Sequence, residues 1–329
     1  MEPQLARVTL TGLQDTIRTE LDGAFAELGR IVAADYTIID DVNQYLMGIR
    51  GKMFRPTLLL LSSKAAGGPN PGDTTLAAVV ELIHLATLIH DDSVDHSVLR
   101  RGQPTVNALF SHQVAVIMGD YLYSRAIIEL VDLEDHEPLR VLSRVTNDMT
   151  VGEMRELEAH DALDFSEQRY QRMIDAKTAS LMAGACEVGA IPGGDAYRAP
   201  LRRYGRNLGM AFQIVDDLLD YTSTEDVTGK PAGLDLREHK ITLPLIAALP
   251  DMDGDERALV ERLMADPSPA DEHIAHVIEI VERRGGLEAA RAKAHAFGQR
   301  AEAELERLPD GRERDALRDC VTYAVERRS

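Results

Sequence analysis

The chain has no tryptophan, only two cysteines and aromatics at just 5% of its 329 residues. Cys186 and Cys320 lie far apart, which excludes a disulfide framework and a cysteine-based zinc site and points to a reduced, cytoplasmic setting. Long apolar runs are missing too. No stretch approaches the roughly 18 consecutive apolar residues of a membrane-spanning helix, so no integral membrane segment is expected. The start, Met1-Glu2-Pro3-Gln4, lacks the basic and apolar regions of a signal peptide. Positive charge is scarce: 36 Lys and Arg face 55 Asp and Glu, for a net charge of −19. That balance disfavours binding to nucleic acid or to an anionic membrane surface.

Also absent are Ser/Gly-rich linkers, low-complexity tracts, short-period repeats and the two-residue alternation of half-buried strands. What remains is apolar periodicity near 3.6 residues in a chain rich in Ala, Leu, Arg and Glu, which predicts an all-α fold in a single domain over residues 1–329. Helices are expected over about Leu10–Ala34, from Phe54 onward, and through Leu76–His90 with Asp73 or Thr74 as N-cap. Others are expected over Asn107–Leu133, Pro138–Ala162, Ser166–Gly189, Tyr197–Tyr221, Thr242–Leu249, Asp255–Met264, Ala270–Arg284, Leu287–Leu308 and Arg312–Arg327. Thr222–His239, with Gly229, Pro231 and Gly233, reads as an ordered loop and a candidate lid.

Against this background one pattern stands out. Asp91-Asp92-Ser93-Val94-Asp95 returns as Asp216-Asp217-Leu218-Leu219-Asp220, each time at the end of an apolar helical run. On a helix, residues four apart lie over one another, so Asp91 sits beside Asp95 and Asp216 beside Asp220. A solvated acidic face would be the ordinary reading in so acidic a chain. Position argues otherwise, because acids at a helix C-terminus oppose the macrodipole at roughly 0.3–1 kcal/mol each. Six such carboxylates facing one cavity call for divalent cations. Mg²⁺ is usually held by a few carboxylates, waters and substrate phosphates, so a phosphorylated ligand is the natural third party.

Bases recur where a phosphorylated ligand would need them. Arg100-Arg101 follows the first acidic motif, and Lys230 and Lys240 follow the second. Lys52 and Arg55 sit at an expected helix start, where open N–H groups also favour anions. Lys177-Thr178 lies in an otherwise apolar segment, and His84 lies on the helix of Asp91 within reach of a phosphate. His90 is read as structural.

Together these residues resemble the trans-isoprenyl diphosphate synthase (polyprenyl synthetase) family. The resemblance runs through GKxxRP at 51–56, ELIHLATLIHDDSVDHSVLRRGQPT at 81–105, MGDYL at 118–122, KTASL at 177–181, FQIVDDLLD at 212–220 and GKPAGLDLREHKITLPL at 229–245. It implies an all-α bundle around a central cavity, about three Mg²⁺ ions, and condensation of isopentenyl diphosphate with an allylic diphosphate. Carried over by position, Asp91, Asp92 and Asp95 resemble the first metal site and Asp216, Asp217 and Asp220 the second. Arg100, Lys177, Thr178, Gln213, Lys230 and Lys240 match the allylic diphosphate site, whereas Gly51, Lys52, Arg55, His84 and Arg101 match the isopentenyl site. A homodimer is implied, with a heteromer containing a small subunit as the variant.

Family members with short products typically carry an aromatic four or five residues before the first Asp. This chain has Ala86 and Thr87, with Ile83 one turn deeper. A hexaprenyl to decaprenyl product, of the kind that serves as a quinone side chain, is therefore expected, with Tyr121 or Tyr123 as a floor. A short-chain farnesyl or geranylgeranyl synthase is the alternative.

Two departures stand out. Glu156 replaces the usual Gln of GExxQL, and His239 replaces the Gly of REGK. Other classes fit less well: an HD-type phosphohydrolase leaves the second motif idle, a noncatalytic partner subunit would have lost its acids, and a terpene cyclase has no use for Lys52, Arg55 and Arg101.

Overall fold

The computed structural model describes residues 8–49, 51–100, 102–162, 165–222 and 233–327. Among them the fold is helical throughout, as expected, apart from one hairpin of two-residue strands, β1 (Leu99–Arg100) and β2 (Gln103–Pro104), in which Leu99 pairs with Pro104 and Arg100 with Gln103. The chain divides into two units: residues 1–146, 181–205 and 304–320, and residues 147–180, 206–303 and 321–329.

In the first unit α1 (Leu10–Gln14) and a 3₁₀ turn lead into α2 (Arg18–Val32), followed by α3 (Thr37–Gly48), α4 (Phe54–Ala65) and α5 (Asp73–Val94). After the hairpin come α6 (Val106–Leu109) and α7 (His112–Asp132). The middle of the unit is α5, which packs against α7, α2 and α4. It is apolar almost all round: Ala77, Ala78, Val79, Val80 and Leu82 are fully covered. One window of α5 has the length and hydropathy of a membrane span, contrary to the expectation that no segment comes near, but 61% of that window is buried within the protein. A helix that is apolar on all sides is the mark of a core position as much as of a membrane. In α4, Leu58, Leu59, Leu60 and Leu61 are all buried, each stabilising the core by about 1.5–3 kcal/mol relative to exposure.

α8 (His136–Ala162), α9 (Glu167–Ile174), α10 (Ser180–Gly189) and α11 (Asp195–Thr222) follow. Then come α12 (Leu234–Arg237), α13 (Leu243–Ala248), α14 (Gly254–Ala265), α15 (Asp271–Arg283), α16 (Gly286–Leu305) and α17 (Arg312–Glu326). The core of the second unit is drawn from Tyr170, Ile174, Ile214, Leu236, Leu245 and Val277 among others, with α13 against α9 and α15.

The sequence expectations need several corrections, the first being that the helix expected over 107–133 is two, α6 and α7, parted at Phe110 and Ser111. A single helix over 166–189 is broken by a π-helical turn at Asp175–Ala179. The N-cap of α5 is Gly72, at φ 90°, while Asp73 lies inside the helix and accepts from Ser63 Oγ and the Asn70 N–H. The whole of α3 was not expected, and neither was the short α12 inside the expected loop. The lid proposed for 222–239, with Gly229 and Lys230, lies mostly outside the described residues, as does Arg101.

Candidate active site

Both acidic motifs sit where the sequence placed them, at the C-terminal ends of long helices. In the first unit Asp95 caps α5, its N–H donating to the Asp91 carbonyl at 2.8 Å. Asp92 is buried at 7% exposure and is gripped by Arg100, whose Nε donates to both carboxylate oxygens at 2.8 and 3.0 Å. The reversal just after α5 explains that grip: His96 takes a left-handed φ of 51° and the Ser97 N–H donates to the Asp92 carbonyl at 3.0 Å, so the chain leading to Arg100 doubles back on the helix end.

Of the residues expected to bind isopentenyl diphosphate, two meet within this unit and two line a pocket. Arg55 on α4 lies 2.9 Å from His84 Nε2 on α5. Just before α4, Met53 adopts a left-handed conformation at φ 51°, costly for a residue with a side chain and the kind of strain that gathers at ligand sites. The Lys52 carbonyl accepts from Gln14 Nε2 at 3.0 Å, and Lys52 lines a pocket of about 240 Å³ with Gln14, Arg18 and Gly51.

In the second unit the acids are tied into a network. Tyr170 donates its hydroxyl to Asp217 at 2.5 Å, Gln213 donates its amide to the other Asp217 oxygen at 2.8 Å, and Thr178 donates to Gln213 at 2.9 Å. Burial pushes the Asp217 carboxyl up to about 7 despite those hydrogen bonds, and the carboxylates of Asp216 and Glu156 add to the shift. Asp220 is also raised, by burial first, although it accepts the backbone N–H groups of Leu234 and Asp235 at 3.1 and 3.0 Å. Those two bonds start α12, preceded by Gly233 at φ 78°. Asp216 is held differently: Arg327 donates to it at 2.9 Å while stacking 3.7 Å over the Phe212 ring.

Lys177 and Thr178 ride on the π turn, whose extra residue rotates them relative to a continuous α-helix. Helix α8 comes close here because Gly152 has no side chain; a Cβ there would fall 2.5 Å from the Lys177 nitrogen. The residues after Gly152 then flank Lys177, whose Nζ lies 2.7 Å from Glu153 and in direct contact with Glu156. Lys240 pairs with Glu238 at 2.9 Å. His239, which stands at the Gly position of the expected REGK motif, has a left-handed φ of 57° and is secured by Nε2 to the Asp266 carbonyl at 2.8 Å.

Sequence reasoning missed Tyr170 and Arg327 and gave Glu153 no role. Their partners lie 24 to 111 residues away, and no local spacing marks them. His90 Nε2 lies 3.1 Å from the Val116 carbonyl and 3.4 Å from Asp120.

The donor set can be tested against Mg²⁺. Among the described residues no three carboxylates or histidines stand close enough to make a complete cage. What is present is a buried and mutually repelling set of carboxylates, as the raised Asp217 and Asp220 show. That fits Mg²⁺, which takes one or two carboxylates and completes its shell with water and phosphate oxygens.

Comparison with known proteins agrees with these motifs. The polyprenyl synthetase family profile matches residues 36–281. The chain is 40% identical over 90% of its length to an all-trans-nonaprenyl-diphosphate synthase (geranyl-diphosphate specific) of Rhodobacter capsulatus, covering 91% of that protein. It is equally 40% identical over 87% of its length to a short chain isoprenyl diphosphate synthase of Methanothermobacter thermautotrophicus, covering 89% of it. A crystal structure of a polyprenyl synthase from Caulobacter crescentus, complexed with calcium and isoprenyl diphosphate, superposes with a TM-score of 0.93 at 33% identity, covering 99% of this chain and 100% of that one. This chain belongs to the polyprenyl synthetase family. It is an enzyme, a trans-prenyl diphosphate synthase.

Proposed function

We propose that the chain condenses isopentenyl diphosphate with an allylic diphosphate, in repeated rounds, to a hexaprenyl to decaprenyl product that serves as a quinone side chain. The observation that carries the length is the α5 segment before Asp91. No Phe, Tyr or Trp lies on the last turns of the helix, where Ala86 and Ile83 stand instead. Thr87 donates back to the His84 carbonyl at 2.8 Å, which leaves its methyl as the apolar surface. Tyr121 and Tyr123 cannot both form a floor. Two residues apart, they point to nearly opposite sides of α7, Tyr121 to the Val32 carbonyl and Tyr123 to Thr146. The short-chain reading is kept alive by equal identity to a short-chain relative.

In this reading Asp91, Asp92 and Asp95 hold Mg²⁺ in one unit and Asp216, Asp217 and Asp220 hold it in the other, about three ions in all. The ions supply Lewis-acid neutralisation of the departing diphosphate. Lys177, Thr178, Gln213, Lys230 and Lys240, with Arg100, carry the allylic diphosphate; Gly51, Lys52, Arg55, His84 and Arg101 carry isopentenyl diphosphate. Their fixed positive charge stabilises the leaving group as the allylic C–O bond breaks. The isopentenyl double bond attacks the resulting cation, and the released diphosphate takes the proton that the adduct loses as its new double bond forms, so no protein nucleophile is required.

The exposed apolar face of α7 supports self-association. Val116, Ile117, Ile127, Ile128 and Val131 are 41–62% exposed and fall within one arc of the helix. A homodimer through this face, working in the cytoplasm, is the assembly we propose; a requirement for a second gene product would replace it with a heteromer.

Product chromatography after incubation with labelled isopentenyl diphosphate, with and without an allylic primer, tests the length. Ala86→Phe should remain folded, since overpacking costs about 1–3 kcal/mol, and should stop at farnesyl or geranylgeranyl diphosphate. An unchanged long product from Ala86→Phe, or a wild-type enzyme that already stops at farnesyl diphosphate, overturns the tunnel assignment.

A further inference from the structure

The cation expected to hold the allylic diphosphate is already engaged by two carboxylates of its own chain. Lys177 Nζ contacts Glu156 and lies 2.7 Å from Glu153, with all three side chains 20–25% exposed. The arrangement is built in. Gly152 lets α8 dock against the backbone of Lys177, and Glu153 and Glu156, one and four residues later, then lie on either side of the ammonium. One ammonium between two carboxylates leaves a group with net charge −1. Glu156 is the carboxylate in direct contact with the ammonium. It is the position at which this chain departs from GExxQL, in which the corresponding side chain is an uncharged amide.

We propose that Glu156 is a positioning residue that weakens the hold of Lys177 on the allylic diphosphate, and so sets the balance between retention and release in each round. This rests on the assignment of Lys177 to that site. An incoming diphosphate competes with Glu156 for the same N–H donors and meets an added negative charge beside them. The same competition helps inorganic diphosphate to leave once the allylic bond has broken. Retention matters doubly in an elongating enzyme, because the product of one condensation is the allylic substrate of the next.

Glu156→Gln keeps an oxygen acceptor at Lys177 and removes the charge. It should lower the KM for the allylic diphosphate and the inhibition constant of inorganic diphosphate, each by about fivefold. The KM for isopentenyl diphosphate should stay put, and kcat should fall as release slows. Glu156→Asp, which retains the charge, should stay near wild type. A residue that merely braced α8 would show the reverse, with both substitutions lowering the melting temperature and raising the allylic KM. Should the Gln variant not fold, Glu156→Ser is measured for the same two constants. An allylic KM that is unchanged or raised in the neutral variant, while Lys177→Ala raises it, overturns the proposal. If Lys177→Ala leaves the allylic KM untouched and Arg55→Ala raises that of isopentenyl diphosphate, the assignment of Lys177 is what has failed.

Discussion

The two acidic motifs have the same spacing and the same place at the end of a helix, but their surroundings differ. The first is held by a neighbour in sequence: the chain turns back at His96 and Ser97, and Arg100 pairs with Asp92, eight residues behind it. The second is held by residues from distant segments, with Tyr170 and Gln213 on Asp217, Arg327 on Asp216, and the start of α12 on Asp220. Spacing therefore fixes which carboxylates face the same way, whereas packing fixes how firmly each is held and how readily it ionises. Asp217, wrapped in protein, is pushed up to about 7.

The strongest way to break the comparison is to ask whether the motifs are equally needed. Asp91→Ala and Asp216→Ala should each cost on the order of a thousandfold in kcat/KM, and excess chelator should abolish product formation. One variant turning over like wild type would show that only the other motif works.

A smaller effect separates them by stability. Tyr170→Phe removes the hydroxyl from a buried carboxylate and should cost about 1–3 kcal/mol in denaturant unfolding. A melt indistinguishable from wild type would mean that water replaces the hydroxyl.

Smaller again is the difference between the last acids of the two motifs. Asp220→Ala removes the acceptor for two backbone N–H groups and should destabilise by about 1 kcal/mol. Asp95→Ala, at an exposed position, should stay within about 0.5 kcal/mol. Equal losses would show that the second motif gains nothing from its packing.

The smallest effect supplies an outside reference. Glu256, paired with Arg284 and Arg283, is held down to about 2, the opposite direction from Asp217. A lowered carboxyl stabilises the fold above its ordinary value and loses that contribution as pH falls. The melting difference between wild type and Glu256→Gln should therefore shrink between about pH 4.5 and pH 2. A difference that grows with acid would reverse the sign.

Most of the helices and both acidic clusters were legible in the sequence because they are local. Apolar period and four-residue spacing need no knowledge of the rest of the chain, and α5 with Asp91 to Asp95 shows both. The π turn at Asp175–Ala179 left no such trace, since its residues suit an α-helix equally well. Helix α3 was overlooked although Ile39, Val42 and Leu46 repeat at helical spacing along it. The Arg55 contact with His84 became visible only once α4 and α5 had packed. His239 was noticed as a departure from Gly, but its tolerance of a left-handed backbone depends on a carbonyl 27 residues further on.

Asp220 has one more consequence. Its carboxylate accepts the amides of Leu234 and Asp235, so two backbone protons sit directly on a proposed metal ligand. Any change in the electron density of that carboxylate must alter their chemical shifts and their exchange with solvent. The chain thus carries its own pair of spectroscopic probes, which in an isotope-labelled sample would report occupancy of the second motif at Asp220 without turnover.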